Sequence, residues 1–214
     1  MKYYQELNLL PKANICLYDF WQKLFQQIHL ALVTNKIKDN VSAVGVSFPE
    51  YDADKFSFGT KLRLFAENEQ SLKQIECEKW LTRLKDYINL SEIKLVPEKT
   101  EGYACYKHIK LKGSKEKLAR RRAKWKGETL QQALEYFKDF EEQHSKLPYI
   151  NMQSQTNGQH FRLFIKKQIV DSSSSGLYSC YGLSSTTTVP IFCWNSFCQK
   201  SYKQIFAFGS KFNS

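Results

Sequence analysis

Several features are missing from this 214-residue sequence. No apolar run approaches the roughly 20 residues that span a bilayer. The start, Met1-Lys2-Tyr3-Tyr4-Gln5-Glu6, lacks the apolar core of a signal peptide, so a cytoplasmic protein is expected. No two cysteines are spaced Cys-x-x-Cys, and there is no His-x-Glu or His-Glu-x-x-His string, which argues against a zinc site. Cys16, Cys77, Cys105, Cys180, Cys193 and Cys198 therefore read as reduced, mostly buried thiols. There is no internal repeat and no long low-complexity tract. Acid is in short supply: 21 Asp and Glu stand against 32 Lys and Arg, a net charge of +11. That surplus favours a polyanionic partner, nucleic acid or an acidic membrane surface. At 42% hydrophobic and 14% aromatic, the chain has material for a core, which excludes a wholly disordered protein.

The first hundred residues alternate strand and helix patterns. Strands are expected at Lys2–Leu10, Ser42–Phe48, Lys61–Phe65 and Ile93–Val96, three of them ended by Pro11, Pro49 and Pro97. Helices are expected over Asn14–Thr34, with an Asn14 cap, and over Ser71–Ile88. The order β-α-β-β-α-β is that of the ferredoxin-like split βαβ arrangement. RNA-recognition modules share it, but their aromatic consensus is not visible in the expected strand. Pro97–Gly102 reads as a domain boundary. Beyond it come a strand at Tyr103–Lys112 and a helix at Ser114–Trp125 with few apolar residues, Leu118 and Trp125. A second helix follows at Thr129–His144, with Leu130, Leu134, Phe137 and Phe140 inward. Further strands are expected at Phe161–Ile165 and Gly176–Leu183, with the serine run 172–175 as a turn between them. The fold class is α+β: a ferredoxin-like domain over 1–98, a smaller α+β domain over 99–192 with the basic helix, and an aromatic-rich tail over 193–214.

Between Lys107 and Lys126 there are ten Lys or Arg and one acid, Glu116. Helical spacing puts Lys117, Arg121 and Lys124 on one face and Lys115, Arg122 and Lys126 on a neighbouring one. Like charges at this density repel one another, and a phosphate backbone relieves that repulsion while releasing counterions. Such a helix suits the deep, narrow groove of A-form RNA. A solvated basic face is the plainer reading of any charge run; density and the whole-chain surplus weigh against it here.

Four histidines are candidates for chemistry. His29 lies beside Ile28 at the border of an apolar helical stripe, and local pattern alone makes it a half-buried packing residue. His144 lies near a helix end, and His108 just before the basic helix. His160 stands in the polar cluster Ser154-Gln-Thr-Asn-Gly-Gln-His-Phe-Arg162, a hairpin turn or a cradle for phosphate or ribose. Asp52 and Asp54 form Asp-x-Asp with nothing to complete a metal site, and read as loop charges. RNA supplies its own nucleophile, the 2′-hydroxyl. Cleaving it takes a base, donors to the phosphate and aligned geometry, without a metal or cofactor.

Four strings carry a resemblance. They are Gly45-Val-Ser-Phe-Pro49, Ser154-Gln-Thr-Asn-Gly-Gln-His-Phe-Arg-Leu-Phe-Ile165, Cys180-Tyr-Gly-Leu-Ser184 and Val189-Pro-Ile-Phe192, with Leu24–Val33 around His29 beside them. They resemble the type I-F CRISPR repeat-processing endoribonucleases, the subtype-Ypest members of the Cas-six superfamily, over residues 1 to about 192. The resemblance implies a metal-independent cut at the 3′ base of the repeat stem-loop, leaving a 5′-hydroxyl and a 2′,3′-cyclic phosphate. It assigns His29 as base on the 2′-hydroxyl, Ser154 as the residue holding the ribose, and Tyr181 as the residue orienting the histidine. Phe161 would stack on the terminal base pair. Arg120, Arg121 and Arg122 would sit in the helix that enters the RNA groove, Lys117 and Lys124 are RNA-binding candidates from the charge density of the same helix, and Gln155 and Thr156 would contact RNA from the polar turn. His108 and Lys110 stand where the family reads bases with Arg and Gln. The product would stay bound, so the expected partners are the CRISPR RNA stem-loop and other subunits of the type I-F surveillance complex, not a membrane. A non-cleaving RNA-hairpin-binding subunit is the alternative from another class. A third is a scaffold whose charge serves solubility.

Overall fold

A computed structural model describes residues 1–10, 16–111, 113–140 and 145–192. Asn14, His144, Cys193, Cys198 and the tail at 193–214 lie outside the described residues. The chain is a mixed α+β protein with antiparallel sheets. Strand β1 (Tyr3–Leu9) is followed by helix α1 (Leu17–Thr34), then by two short strands, β2 (Val41–Ser42) and β3 (Gly45–Ser47). Strand β4 (Lys61–Ala66) leads to helices α2 (Glu69–Ile75) and α3 (Cys77–Trp80), then to a 3-10 turn (Thr82–Tyr87), β5 (Ile88–Leu90) and β6 (Lys94–Leu95). The remainder runs β7 (Gly102–Ile109), α4 (Lys115–Lys126), α5 (Leu130–Tyr136), β8 (Tyr149–Gln153), β9 (His160–Val170), β10 (Tyr178–Ser179) and β11 (Val189–Ile191).

One sheet has the order β3-β4-β1-β5, with β6 also on β1. The other has the order β11-β7-β9-β8, and β2 pairs with β10 apart from both. Alternation sets the register: Leu7 faces Leu62 and Tyr4 faces Phe65 across β1 and β4. Helix α1 forms because Phe20, Trp21, Leu24, Phe25, Ile28, Ala31 and Leu32 recur at helical spacing, and all are buried. Asn35 closes it, with its backbone N–H and its side-chain amide both donating to the Ala31 carbonyl. Leu24 and Ile28 are fully buried, so truncating either to Ala costs about 2–5 kcal/mol. One contiguous buried cluster runs from Tyr4 to Phe192 and draws on both sheets. Arg63 ties the far end of the chain to it. Its Nε donates to Glu6 Oε2 (2.6 Å), its Nη1 to the Phe192 carbonyl (2.8 Å), and it lies over the Phe192 ring.

Several expected boundaries move. The helix expected over Ser71–Ile88 breaks at Glu76, whose φ of 48° is left-handed, and Ile88 begins a strand instead. The strand expected over Ser42–Phe48 becomes β2 and β3, which belong to different sheets. Of Gly176–Leu183 only Tyr178–Ser179 is strand, and β8, β5 and β11 were not anticipated. Helix α1 opens at Leu17 after Cys16, which makes no side-chain cap. In α5 the buried residue is Ala133; Leu130 is 40% exposed, and Leu134, Phe137 and Phe140 are half-buried. On α4 it is Ala119 that is buried, whereas Trp125 is 77% exposed. Cys77, Cys105 and Cys180 are buried free thiols, and Cys16 is exposed. No helix among the described residues is long and apolar enough to cross a membrane.

Candidate active site and RNA interface

The loop carrying Tyr181 is fixed by backbone hydrogen bonds together with the Ser179 hydroxyl, which donates to the Leu183 carbonyl (3.0 Å) and accepts from the Tyr181 N–H (3.4 Å). Gly182 has φ 69°, and a Cβ there would collide with the Val46 side chain. Its carbonyl accepts from Val46 N–H (2.8 Å), and its N–H donates to the Ser179 carbonyl (2.8 Å). Gly45 lies under the Tyr178 ring, with no room for a Cβ. The strings Gly45–Pro49 and Cys180–Ser184, far apart in sequence, thus interlock. The third string joins them through Tyr51, whose hydroxyl donates to the Ile165 carbonyl (2.8 Å).

This loop brings Cys180 and Tyr181 onto α1. His29 Nδ1 lies 2.9 Å from the Cys180 carbonyl oxygen. A carbonyl only accepts, so Nδ1 carries the hydrogen and, in the neutral ring, Nε2 keeps its lone pair. The imidazole stacks on the Tyr181 ring, with centroids 4.1 Å apart and planes at 4°. Burial holds the His29 pKa below its ordinary value, partly offset by the hydrogen bond to Cys180. Burial, then the neighbouring Cys180, raises the Tyr181 phenol. The result is a neutral, oriented imidazole near neutral pH.

Tyr181 is also the centre of a wider aromatic group. Phe161, on β9, meets it edge-on at 6.5 Å, and His108, on β7, lies 6.3 Å away. Burial, then Lys110, lowers the His108 pKa. Ser154 opens the turn between β8 and β9, where its N–H donates to the Gln159 carbonyl and its own carbonyl accepts from Gly158. The preceding residue, Gln153, donates its N–H to Gln26 Oε1 (3.2 Å), one helical turn before His29 on α1. Gln155 and Thr156 are exposed in that turn, and His160 is exposed at the start of β9. Asp52 turns its carboxylate onto the N–H groups of Asp54 and Lys55, so that pair caps its own loop. No group of three His, Cys, Asp or Glu among the described residues is placed to hold a metal ion.

Gln26 was missed by sequence reasoning. Gln26 lies outside the apolar stripe of α1, three positions before His29 on the same side of the helix, and no local pattern marks it. Its Nε2 is buried without a hydrogen-bond partner.

Helix α4 starts at Ser114, whose side chain accepts from Lys117 N–H, and ends at Gly127 with φ 69°. Lys117, Arg121 and Lys124 are exposed and form no ion pair among the described residues. Lys110 is exposed before the helix. Arg120 pairs with Glu116 on the same helix. Arg122 points instead toward α5, pairing with Glu128 at 2.6 Å.

Fold and site together describe an α+β protein in which an imidazole stacked on tyrosine lies beside the strand that leads into a basic helix. A family model described as CRISPR-associated protein (Cas_Csy4) matches residues 4–192, and the chain belongs to that family, the type I-F Cas6 proteins. The CRISPR-associated endonuclease Cas6/Csy4 of Escherichia coli (strain UTI89 / UPEC) is 32% identical over 193 residues, 90% of this chain and 100% of that protein. The protein of the same name in Pseudomonas aeruginosa (strain UCBPP-PA14) is 30% identical over 193 residues, with the same coverage. A solved structure described as an RAMP protein binding different RNA substrates is similar at 10% identity and TM-score 0.37. It covers 90% of this chain and 100% of that one, and is too distant to bear on the argument.

Proposed function

We propose that this chain is a metal-independent endoribonuclease that binds the stem-loop of CRISPR repeat RNA and cuts at its 3′ base. The observation that carries the reading is the His29 imidazole, held by the Cys180 carbonyl and the Tyr181 ring with Nε2 left as base. Nε2 takes the proton of a ribose 2′-hydroxyl. The 2′ oxygen then attacks the adjacent phosphorus; the P–O2′ bond forms as P–O5′ breaks, the departing 5′ oxygen takes a proton from water to become a hydroxyl, and the imidazolium returns its proton to solvent. The product end is a 2′,3′-cyclic phosphate. No step draws on a metal or cofactor. Tyr181 orients the imidazole, and Ser154 holds the ribose, supported by the tie from Gln153 to α1.

Phe161 stacks on the last base pair of the stem. Lys117, Arg120, Arg121 and Lys124 line the phosphates, with His108, Lys110, Gln155 and Thr156 contacting RNA nearer the cut. The protein keeps its product and joins other subunits of the type I-F complex in the cytoplasm. Residues 1–98 form a ferredoxin-like domain, 99–192 an RNA-binding domain and 193–214 a tail.

The test is labelled repeat RNA in EDTA. Wild type should give one cut with a cyclic-phosphate end, and His29→Ala should bind without cutting. Cutting that needs magnesium, or that survives loss of His29, sinks the mechanism. Binding without cutting by the wild type would favour a non-catalytic hairpin holder.

A further inference from the structure

Seven of the twelve residues of α4 are Lys or Arg, yet the helix is held in place. Apolar burial does little of this. The buried residue of α4 is Ala119 and that of α5 is Ala133, each a single methyl. Such small residues let the two helices approach but anchor them weakly. Arg122 lies three residues after Ala119, and Tyr136 three residues after Ala133, so each pair shares a helix face. Across that contact the Arg122 guanidinium carbon is 3.7 Å from the Tyr136 ring centroid. Arg122 Nε forms an ion pair with Glu128 Oε1 (2.6 Å) that is off hydrogen-bond geometry, and the hydrogen bond between them runs from Nη2 to Oε2 (3.4 Å). The Arg122 side chain is 26% exposed and that of Glu128 22%, so the pair is largely shielded from solvent. Freeing Arg122 for a phosphate would leave a shielded carboxylate unpaired.

We propose that Arg122 is a positioning residue rather than a phosphate contact: its guanidinium docks α4 on α5 through Tyr136 and Glu128, and so sets how Lys117, Arg121 and Lys124 meet RNA. This rests on the RNA-binding role of α4 proposed above. Both contacts use properties peculiar to arginine, a planar cation that stacks on an aromatic ring while its edge engages a carboxylate; lysine does not reproduce that geometry. Glu128 also offsets the charge that Arg122 would otherwise present to the RNA.

The experiment measures binding of a repeat stem-loop RNA at several salt concentrations, in a His29→Ala background so that no cutting intervenes. Arg122→Met, Arg122→Lys and Tyr136→Leu should each weaken binding roughly three- to thirty-fold, while Tyr136→Phe binds as the parent does. The salt slope of Arg122→Met should match the parent, and amide exchange over residues 115–126 of the free protein should speed up. Parent-like binding by Arg122→Lys or by Tyr136→Leu overturns the docking role. So does a slope flattened by about one phosphate in Arg122→Met. Arg121→Ala separates the two readings. If it weakens binding while Tyr136→Leu does not, only the docking inference falls. If it has no effect, α4 leaves the RNA interface and both fall.

Discussion

His29 and Tyr181 sit half-buried, stacked at 4.1 Å, in a loop held by Gly182, Val46 and Ser179 backbone hydrogen bonds. Lys117, Arg121 and Lys124 stand in solvent on a helix with one buried methyl. On the proposed function, the contrast follows from what each region would do. A base must be neutral and aimed, which takes desolvation and a rigid frame. A groove-binding helix must stay charged and hydrated until phosphates replace its counterions. Changes in the first region should therefore alter rate and stability, and changes in the second should alter affinity and its salt dependence. Any residue that moves the wrong quantity breaks the division.

The largest effect is expected at His29. His29→Ala should slow cutting by roughly 10²–10⁴-fold, the range of a general base, with RNA affinity within about threefold of wild type. Single-turnover cleavage beside equilibrium binding reads both. A matching loss of affinity would make His29 a binding residue. Next is Gly182→Ala, which combines left-handed backbone strain with the clash against Val46. It should cost about 2–5 kcal/mol in urea denaturation and abolish cutting. A loss under about 1 kcal/mol would mean that the loop shifts freely and does not frame the site.

Acid should act on the buried region as well. The folded His29 pKa lies below the ordinary ~6.5, through burial. Between the two values the unfolded chain binds more protons than the folded one, so stability rises with pH there. That contribution is complete above the ordinary value and is lost as pH falls through the lower one; His108, lowered by burial and Lys110, acts in the same direction. The cleavage rate should be flat at neutral pH and fall only in acid. A rate midpoint above ~6.5 would contradict a desolvated base.

Legibility in the sequence follows the same division. Helix α1, β1, β4 and α4 could be read because each repeats a pattern over six or more residues. The break at Glu76 could not, since a left-handed non-glycine residue leaves no local signal. Strand β8, Tyr149-Ile-Asn-Met-Gln153, buries only Ile150 and Met152, too little alternation to stand out. The cations of α4 announce themselves by density. By local pattern His29 reads as packing, and only the resemblance singled it out. What orients it is a backbone carbonyl 151 residues away, and carbonyls have no residue code. Arg122 shows the limit from the other side: it looks like its neighbours in the run, and only the geometry of α5 sets it apart.

The smallest effect is expected at Arg121, and it is the sharpest check of the charged region. Arg121 is exposed, and no carboxylate among the described residues neutralises it. Losing it should leave stability within about 0.5 kcal/mol, because its side chain is exposed. Cutting of saturating RNA should likewise be unchanged, because on the proposed function Arg121 serves binding and not the proton transfer. Affinity should fall several-fold at low salt and less at high salt, the log–log salt slope shrinking by roughly one. Affinity loss at constant slope would instead indicate a hydrogen bond to a base edge, making α4 a reader of sequence as well as of charge.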